Sequence, residues 1–337
     1  MARRAVDLHG CALPHCAPAP SACCAFWRPR NGERRLEGKP YSHPADPLVR
    51  PPRRGAPLSL RGYASGSGGA LARKIRSRGG TTVIIPRFVQ SPLLRSVPGF
   101  YHAFLGVDPL PERGDAGRLQ SVFAISPSRV GTLRQDHSAT VLEWAEGDAV
   151  PGAEGKRKGD ALFTAVRGTG VGIRTADCVP ILIAVPEARA CAAVHAGWRG
   201  LAAGIVGETV RRMSGRFGIA ASGGLVAAAG PSARGCCYEI GGEVADLIRQ
   251  LPGGGRFLFR GKSAGKWMAD LASLALEGLA AAGVPRENLE AVGPCTVCSR
   301  SFHSYRREKS LAGRQLSFIY ITDAFPQENS PKERDAE

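Results

Sequence analysis

The feature that most constrains the fold is a pair of apolar runs separated by a short turn. The runs are Val179 to Val185 and Ala190 to Val194, and Pro186-Glu187-Ala188-Arg189 lies between them. Apolar runs of this length on either side of a turn are typical of a buried β-hairpin. The rest of the chain is therefore predicted to pack around this hairpin.

The hairpin also predicts that two reactive side chains, Cys178 and His195, lie close together. If the turn consists of Pro186-Glu187, Cys178 lies directly opposite His195, because the two residues are equally far from the turn. Directly opposed residues have Cβ atoms about 4.5 to 5.5 Å apart, and diagonal neighbours about 7 to 8 Å. A loop longer or shorter by one residue would still leave the thiol and the imidazole within reach of one metal ion, or of each other.

A glycine-flanked arginine follows this histidine. Gly197-Trp198-Arg199-Gly200 leads into a segment whose apolar spacing predicts a helix over residues 201–217. Backbone N–H groups, the positive end of a helix dipole and a fixed guanidinium together suit an anion such as phosphate. The alternative is that the glycines only permit a tight turn while Arg199 faces solvent, and the local sequence leaves both open.

Strand and helix patterns alternate along the remainder of the chain. The clearest helix is predicted over residues 266–282, and residues 237–251 also have helical spacing. Further strands are predicted at 81–86, 100–105, 130–134, 141–144, 160–166, 170–175, 224–229, 289–292 and 316–321. This mixture predicts a single α/β domain with a mixed β-sheet and packed helices.

Charge and composition divide the chain of 337 residues. Residues 1–80 hold 15 Lys+Arg against 4 Asp+Glu, whereas the whole chain has a net charge of +16. The basic character therefore belongs mainly to this segment, and nucleic-acid binding by the remainder is not implied. Its Pro, Gly, Arg and Ser content predicts a disordered extension over 1–80. The alternatives are a start codon that lies downstream of this segment and, less favoured, an organelle transit peptide. The folded domain is expected at 81–323, followed by a disordered tail at 324–337.

Hydropathy and cysteine usage indicate the compartment. No apolar run approaches the roughly 20 residues of a membrane helix, so no membrane association is expected. Four of the ten cysteines lie in the extension, and the other six lie in a domain large enough to have its own core. Reduced thiols and a cytoplasmic location are the expectation.

Several motifs in order resemble one known family. TADCVPIL, AAVHAGWRGLAAG, GPSARGCCYEIGGEV, CTVCSRSFHSYRRE and GRQLSFIYI resemble segments of the YfiH/YlmD family. That family was long labelled multicopper polyphenol oxidase, or laccase-domain, and is now assigned as zinc-dependent purine nucleoside phosphorylase with adenosine deaminase activity. The resemblance covers about residues 81 to 322 and implies a YfiH-like α/β fold.

The resemblance implies a metal site and a substrate site. His137 of a Q-x-H motif, Cys178 and His195 match the three metal ligands of the family, which implies zinc, with copper as the alternative. Three protein ligands leave a position for water or substrate. Asp177 is implied as an active-site acid or base, with an anchoring role in the turn as the alternative. The residues implied to bind nucleoside or phosphate are Arg199, Gly200, Arg306 and Arg314.

The chain departs from the family pattern in two places. Asp136 lies between Gln135 and His137, where the family usually has a small apolar residue. Its carboxylate would either support the neighbouring ligand or face solvent. The family's Thr-Thr-Arg-x-Gly-Gly motif near the start is replaced by HAFLGVDP, which changes the first part of the expected pocket.

Other functions are compatible with parts of the sequence. A copper oxidase would need further histidine clusters, and only His102 and His303 remain in the domain. A metal-free cysteine hydrolase would use Cys178 as nucleophile and His195 as base. A non-enzymatic metal or binding module is the fourth hypothesis. Two further cysteine pairs, Cys236-Cys237 and Cys295-x-x-Cys298, are expected to be buried or pocket-lining thiols, because nothing in the sequence brings them together.

Overall fold

The computed structural model describes residues 72–76, 82–86, 88–107, 114–148, 157–220 and 224–322. The predicted tail at 324–337 and most of the predicted extension at 1–80 lie outside these residues. Strand β1 (Ala72–Arg76) pairs antiparallel with β2 (Thr82–Pro86). Strand structure therefore begins before residue 81, the predicted start of the folded domain.

The predicted hairpin lies at the centre of a six-stranded sheet with the order β15-β11-β9-β10-β7-β6. Every residue of β9 and β10 is buried. The sheet is mixed, because β6 runs parallel to β7 and β11 runs parallel to β15, whereas the other neighbours are antiparallel. Its strands are β6 (Val141–Trp144), β7 (Ala161–Thr164), β9 (Val179–Val185), β10 (Ala190–Ala196), β11 (Val226–Ala229) and β15 (Leu289–Ala291).

Two further sheets complete the strand framework. A five-stranded sheet has the order β3-β4-β16-β8-β5, and a three-stranded sheet has the order β12-β14-β13. The first contains β3 (Phe88–Val89), β4 (Phe100–Leu105), β5 (Val130–Gly131), β8 (Gly170–Thr175) and β16 (Gln315–Ile321). The second contains β12 (Glu239–Gly241), β13 (Leu258–Arg260) and β14 (Lys266–Ala269).

The helices are short to medium in length. They are α1 (Pro92–Arg95), α2 (Gly114–Phe123), α3 (Trp198–Ala202), α4 (Ile205–Phe217), α5 (Gly242–Arg249), α6 (Leu271–Ala281) and α7 (Tyr305–Glu308). Short 3₁₀ turns occupy Pro127–Arg129, Gly254–Phe257, Arg286–Asn288 and Lys309–Leu311. Among the described residues, no helix has the length and apolar character needed to cross a membrane.

The six-stranded sheet is buried on both faces. Side chains of a strand alternate between its faces, and on β9 Ile181 and Ile183 belong to the core shared with α4, α5 and α6. Leu182 between them belongs to a second core, which includes Phe104 of β4 and Ile319 of β16. Helices, the six-stranded sheet and the five-stranded sheet therefore form successive layers. The mixed α/β fold predicted from the sequence is confirmed, although its strands form several sheets instead of one.

The three predicted helices begin or divide differently in the structure. The one predicted at 237–251 starts only at Gly242, because Glu239–Gly241 forms strand β12. The predicted helix at 266–282 starts later, because Lys266–Ala269 pairs as a strand with β12 and β13. Asp270 then caps α6 by accepting a hydrogen bond from the Ser273 amide at 3.2 Å. The predicted helix at 201–217 divides at Gly204, whose φ of 82° is a left-handed conformation that glycine adopts readily.

Candidate metal centre and active site

The register of the central hairpin differs from the simplest prediction. Val185 pairs with Ala190 and Pro180 pairs with His195, so the turn has four residues instead of two. Cys178 is thus a diagonal neighbour of His195, and the predicted direct pairing is wrong by two positions. A shift of two positions keeps side chains on the same face of a sheet, so the thiol and the imidazole still converge.

The three predicted ligands come together at the open end of this hairpin. One ligand atom each from His137, Cys178 and His195 lie within 4.8 Å of one another. The Cys178 Sγ is 3.9 Å from the His137 Nε2, and the two imidazole centroids are 4.8 Å apart. Zinc bonds of about 2.3 Å to sulfur and about 2.0 Å to nitrogen would place tetrahedral ligand atoms roughly 3.5 Å apart. Two imidazoles and a thiol at these separations suit zinc or copper.

Asp160 orients the cluster, and the sequence did not identify it. Its side chain is fully buried, and its Oδ1 lies 2.6 Å from the His195 Nδ1. The same carboxylate accepts hydrogen bonds from the amides of His137 at 3.0 Å and Ser138 at 2.7 Å. One acidic group therefore fixes the His195 ring and the segment that carries His137. The only sequence signal was an aspartate at the start of a predicted buried strand.

Local backbone geometry explains the Q-x-H motif. The Gln135 amide group bridges the backbone of Arg174, donating to its carbonyl at 2.7 Å and accepting from its N–H at 2.8 Å. His137 has a φ of 63°, which lets successive amides point at the Asp160 carboxylate. Asp136 is exposed, so of its two predicted placements the one facing solvent matches the structure. Asp160 holds the supporting position instead.

Electrostatic interactions shift the ionisation of the cluster. Burial would raise the pKa of the Cys178 thiol, but hydrogen bonds from His137 and His195 lower it to about 6. Burial would lower the pKa of His195, but its hydrogen bonds with Asp160 and Cys178 raise it to about 9. Burial acts to raise the pKa of Asp160, whereas hydrogen bonds from His195 and Ser138 bring it well below the usual range. The thiolate, which is the form that binds metals, is thus favoured at neutral pH.

Gly197 and Gly200 leave room for the cluster. A Cβ atom at Gly197 would lie 3.1 Å from the Cys178 Sγ and 3.2 Å from the His137 ring. A Cβ at Gly200 would lie 3.2 Å from the carbonyl oxygen of Ser138. Gly200 is buried, so the structure gives it a packing position, although the resemblance implied contact with substrate.

Comparisons with known proteins identify the family of the chain. The family described as "Multi-copper polyphenol oxidoreductase laccase" matches residues 113–322. The chain is 38% identical over 214 residues to the purine nucleoside phosphorylase YlmD of Geobacillus stearothermophilus, covering 60% of this chain and 76% of that protein. The chain belongs to the YfiH/YlmD family.

A solved structure supports the fold, and a further relative is named for a different activity. The crystal structure of YlmD from Geobacillus stearothermophilus matches with a TM-score of 0.61 and 28% identity, covering 70% of this chain and 99% of that chain. Adenosine deaminase RL5, from an unknown prokaryotic organism, is 37% identical over 163 residues, covering 48% of this chain and 62% of that protein.

The laccase description of the family can be compared with the histidines present. His102 and His303 are the other histidines of the described residues, and both have partners away from the cluster. The His102 Nε2 accepts a hydrogen bond from the Ser91 amide at 2.8 Å, and the His303 Nδ1 lies 3.5 Å from Glu308. Multicopper oxidation needs additional histidine-rich copper sites, so the histidines in this part of the chain do not favour that chemistry.

Asp177 borders the cluster and is held on both oxygens. It accepts hydrogen bonds from the Thr296 hydroxyl at 2.6 Å and from the Arg306 amide at 2.7 Å. Its φ of 88° is unusual for a residue other than glycine, so the hydrogen bonds stabilise a strained turn. Of the two predicted roles, these contacts favour the anchoring one.

Arg306 and Tyr238 contact each other next to Asp177. The Arg306 guanidinium lies 4.3 Å from the centroid of the Tyr238 ring. Burial raises the pKa of Tyr238 to about 12, and the charges of Cys178, Arg306 and Asp177 also act on it. The Arg306 amide also donates to Asp177, the neighbour of Cys178, so Tyr238 contacts a segment that is bonded to the turn before this predicted ligand. The sequence analysis assigned no role to Tyr238.

The remaining predicted anion-binding residues lie in different surroundings. Arg199 is exposed on α3, with its guanidinium 4.5 Å from the centroid of the Trp198 ring. Because α3 has five residues, the long helix predicted to begin beside Arg199 is absent there, and its dipole contributes little. Arg314 is exposed and donates to the carbonyls of Ala312 and Gly313 at 3.0 and 2.9 Å. These contacts are local to the segment before β16.

Proposed function

We propose that this chain is a zinc-dependent purine nucleoside phosphorylase that also deaminates adenosine. The observation that carries the proposal is the His137–Cys178–His195 cluster, with its ligand atoms within 4.8 Å and His195 held by buried Asp160. A relative 38% identical to the chain is named a purine nucleoside phosphorylase, and another is named an adenosine deaminase. Adenosine, inosine and methylthioadenosine are the proposed nucleosides, and residues 81–323 are the proposed catalytic domain.

The six cysteines of the described residues are free thiols. Unpaired thiols fit a reducing compartment, and we place the enzyme in the cytoplasm on that ground.

Phosphorolysis places two charge requirements on the site. A phosphate oxygen attacks C1′ of the ribose, the N-glycosidic bond breaks, and its electron pair leaves with the base, which then takes up a proton. Positive charge develops on the sugar and negative charge on the departing base, so a fixed cation must hold phosphate on one side of the ribose. Arg199, exposed beside the Gly197 turn, is the proposed phosphate-binding residue.

The His137–Cys178–His195 cluster would stabilise the negative charge on the departing base and would supply the deamination chemistry. His137, Cys178 and His195 would hold the metal ion, which supplies Lewis-acid stabilisation and lowers the pKa of coordinated water. Asp160 fixes the His195 ring so that its Nδ1 is engaged and its Nε2 faces the other ligands. Tyr238 and Arg306 border the site and restrict the position of a bound nucleoside. In deamination, water adds at C6 of adenine and ammonia leaves, so no phosphate is consumed.

The experiment compares adenosine turnover with and without phosphate in the wild type and in Cys178→Ala. Cys191→Ala is the matched control, because Cys191 is a buried thiol on β10 outside the cluster. We expect Cys178→Ala to lose the zinc ion of the His137–Cys178–His195 cluster, base release and inosine formation together, while Cys191→Ala keeps all three. Lost activity with full zinc content would favour the cysteine nucleophile, and oxygen-dependent oxidation of a polyphenol by the copper-loaded protein would favour the laccase.

Arg199→Ala separates phosphorolysis from deamination. Loss of a charge-assisted contact to phosphate costs about 1.5 to 3 kcal/mol, or roughly 10- to 150-fold in affinity. We expect base release to require more phosphate, while conversion of adenosine to inosine falls much less. Lysine at position 199 should restore the activity only in part, because it lacks the bidentate fork. Both products are measured from one adenosine sample across a phosphate titration, and an unchanged phosphate dependence would remove Arg199 from the phosphate site.

A further inference from the structure

Four cysteines outside the proposed active site converge on one point. Cys236 and Cys237 follow β11, whereas Cys295 and Cys298 follow β15, so they come from two distant segments of the chain. Their four sulfur atoms lie within 4.8 Å of one another. The Cys298 Sγ is 3.3 Å from the Cys237 Sγ and 3.8 Å from the Cys236 Sγ. Nothing in the sequence indicated this convergence, and of the four thiols that were expected to be buried or pocket-lining only Cys295 is buried.

The spacing of these sulfur atoms is close to that of a metal tetrathiolate. Zinc–sulfur bonds of about 2.3 Å in a tetrahedron place the sulfur atoms about 3.8 Å apart. A disulfide needs a sulfur–sulfur bond of about 2.05 Å between one pair only. In this cluster the Cys298 Sγ is instead within contact distance of both the Cys236 and the Cys237 Sγ, as expected if all three sulfur atoms are ligands of one ion.

A backbone N–H group also points at the cluster. The Arg234 amide donates to the Cys295 Sγ at 3.5 Å. Sulfur atoms as close as these repel one another when they carry negative charge, and a bound cation would offset that repulsion.

The two cysteine-bearing segments are held in place independently of the sulfur atoms. Ser232 and Cys295 form a parallel bridge, and the Thr296 amide donates to the Ser232 carbonyl at 3.0 Å. The Arg307 guanidinium donates to the carbonyl oxygens of Val297 at 3.0 Å and Ser299 at 3.1 Å. The Cys-x-x-Cys turn is therefore ordered by main-chain contacts, so the ligands are arranged before a metal binds.

We propose that Cys236, Cys237, Cys295 and Cys298 bind a second zinc ion, as a tetrathiolate site distinct from the His137–Cys178–His195 cluster. Four thiolates select a soft cation and complete the coordination of tetrahedral zinc, which leaves no position for substrate. The site is therefore structural. Cys236 and Cys298 are exposed, so the ion can load from solvent and the thiols can be reached by reagents.

The zinc content of the full chain tests this proposal without any activity measurement. Cys298→Ser removes one ligand at an exposed position, where the change leaves no buried cavity. Cys191→Ala is the control that removes one thiol outside the cluster. We expect Cys298→Ser to contain one equivalent of zinc less than the wild type and Cys191→Ala to match the wild type. Cys178→Ala should lose the other equivalent. Equal zinc content in Cys298→Ser and the wild type would overturn the proposal.

Alkylation of the wild-type protein gives a second test that does not depend on folding of a variant. N-ethylmaleimide is added to the zinc-loaded protein and to the same protein after chelation, and the modified peptides are quantified by mass spectrometry. We expect the four cysteines to react at least several-fold more slowly when zinc is bound. Equal rates at these positions in both samples, or a disulfide joining Cys237 to Cys298 in the purified protein, would contradict the site.

Discussion

Asp160 is the residue on which the geometry of the His137–Cys178–His195 cluster depends. It contacts His195 through its Oδ1 and also accepts the backbone amides of the segment that carries His137. Carboxylates in this position fix the orientation of a ligating imidazole and raise its basicity. Two of the three ligands therefore depend on one buried side chain.

Asp160→Asn should lower zinc affinity by roughly 10- to 100-fold. The side-chain nitrogen of asparagine would replace a carboxylate oxygen that accepts backbone N–H groups, and two donors would then face each other. Zinc affinity is measured by competition with a chromophoric chelator. Glu146→Gln is the matched control, since it removes the same charge from an exposed position outside the cluster. Equal affinities in Asp160→Asn and the wild type would show that the carboxylate does not support the ligands.

The sequence predicted the ligands of the cluster better than their supports. His137, Cys178 and His195 were implied by the family motifs, and the structure brings them together, while metal binding itself stays a prediction. Asp160 was missed because its role depends on contacts with His137 and His195, and no short motif contains all three. The four-cysteine cluster was missed for the same reason, because its halves meet only after β11 and β15 pair.

At the scale of single elements, strand β4 carries a buried histidine. His102 is 1% exposed, and its Nε2 accepts a hydrogen bond from the Ser91 amide at 2.8 Å. Burial, together with the charge of Arg95, lowers the pKa of His102 from 6.5 to about 4. The folded protein therefore favours the neutral imidazole, whereas the unfolded chain takes up a proton at a higher pH.

Acid should destabilise the protein partly through His102. The unfolded chain binds more protons between pH 6.5 and 4, so the contribution of His102 is complete above pH 6.5 and is lost as the pH falls through 4. The full loss is about 3 kcal/mol. His102→Gln retains an acceptor for Ser91 but does not titrate, so its free energy of unfolding should fall less between pH 7 and pH 4.5. Urea unfolding at both pH values measures this, and parallel losses in the two proteins would contradict the assignment.

Element types were easier to predict than element boundaries. Strands β4, β6 and β8 have the predicted bounds, because their apolar runs end at turn residues. The predicted helix at 266–282 failed at its first residues, where Trp267 and Met268 are strand-paired with β12 and β13. Local periodicity does not report such long-range pairing, which overrides helix propensity.

At the scale of the whole molecule, the layers approach closely where small residues lie between them. Gly230 follows β11, and a Cβ atom there would lie 2.2 Å from the Phe104 ring of β4. Phe104 is fully buried in the core between the six-stranded and five-stranded sheets. The separation of these two layers therefore depends on the absence of a side chain at Gly230.

Gly230→Ala should destabilise the protein by about 1 to 3 kcal/mol, because the added methyl group overpacks the interlayer core. Gly207→Ala is the matched control on α4, where a new Cβ would meet no atom within 4 Å. Alanine should stabilise that helix by up to about 1 kcal/mol. Chemical denaturation of both variants measures the free energy of unfolding. Equal stability of Gly230→Ala and the wild type would show that the two sheets can move apart to accommodate the methyl group.

The buried hairpin should tolerate few changes in sequence, whereas the segments around it should tolerate more. All residues of β9 and β10 are buried, while Arg199 and Arg306, which are proposed to meet phosphate or nucleoside, lie on segments outside it. On the proposed function, substitutions in those segments would change which substrate is recognised without altering strands β9 and β10. Redesign towards a new leaving group should therefore diversify these outer segments and retain the hairpin unchanged.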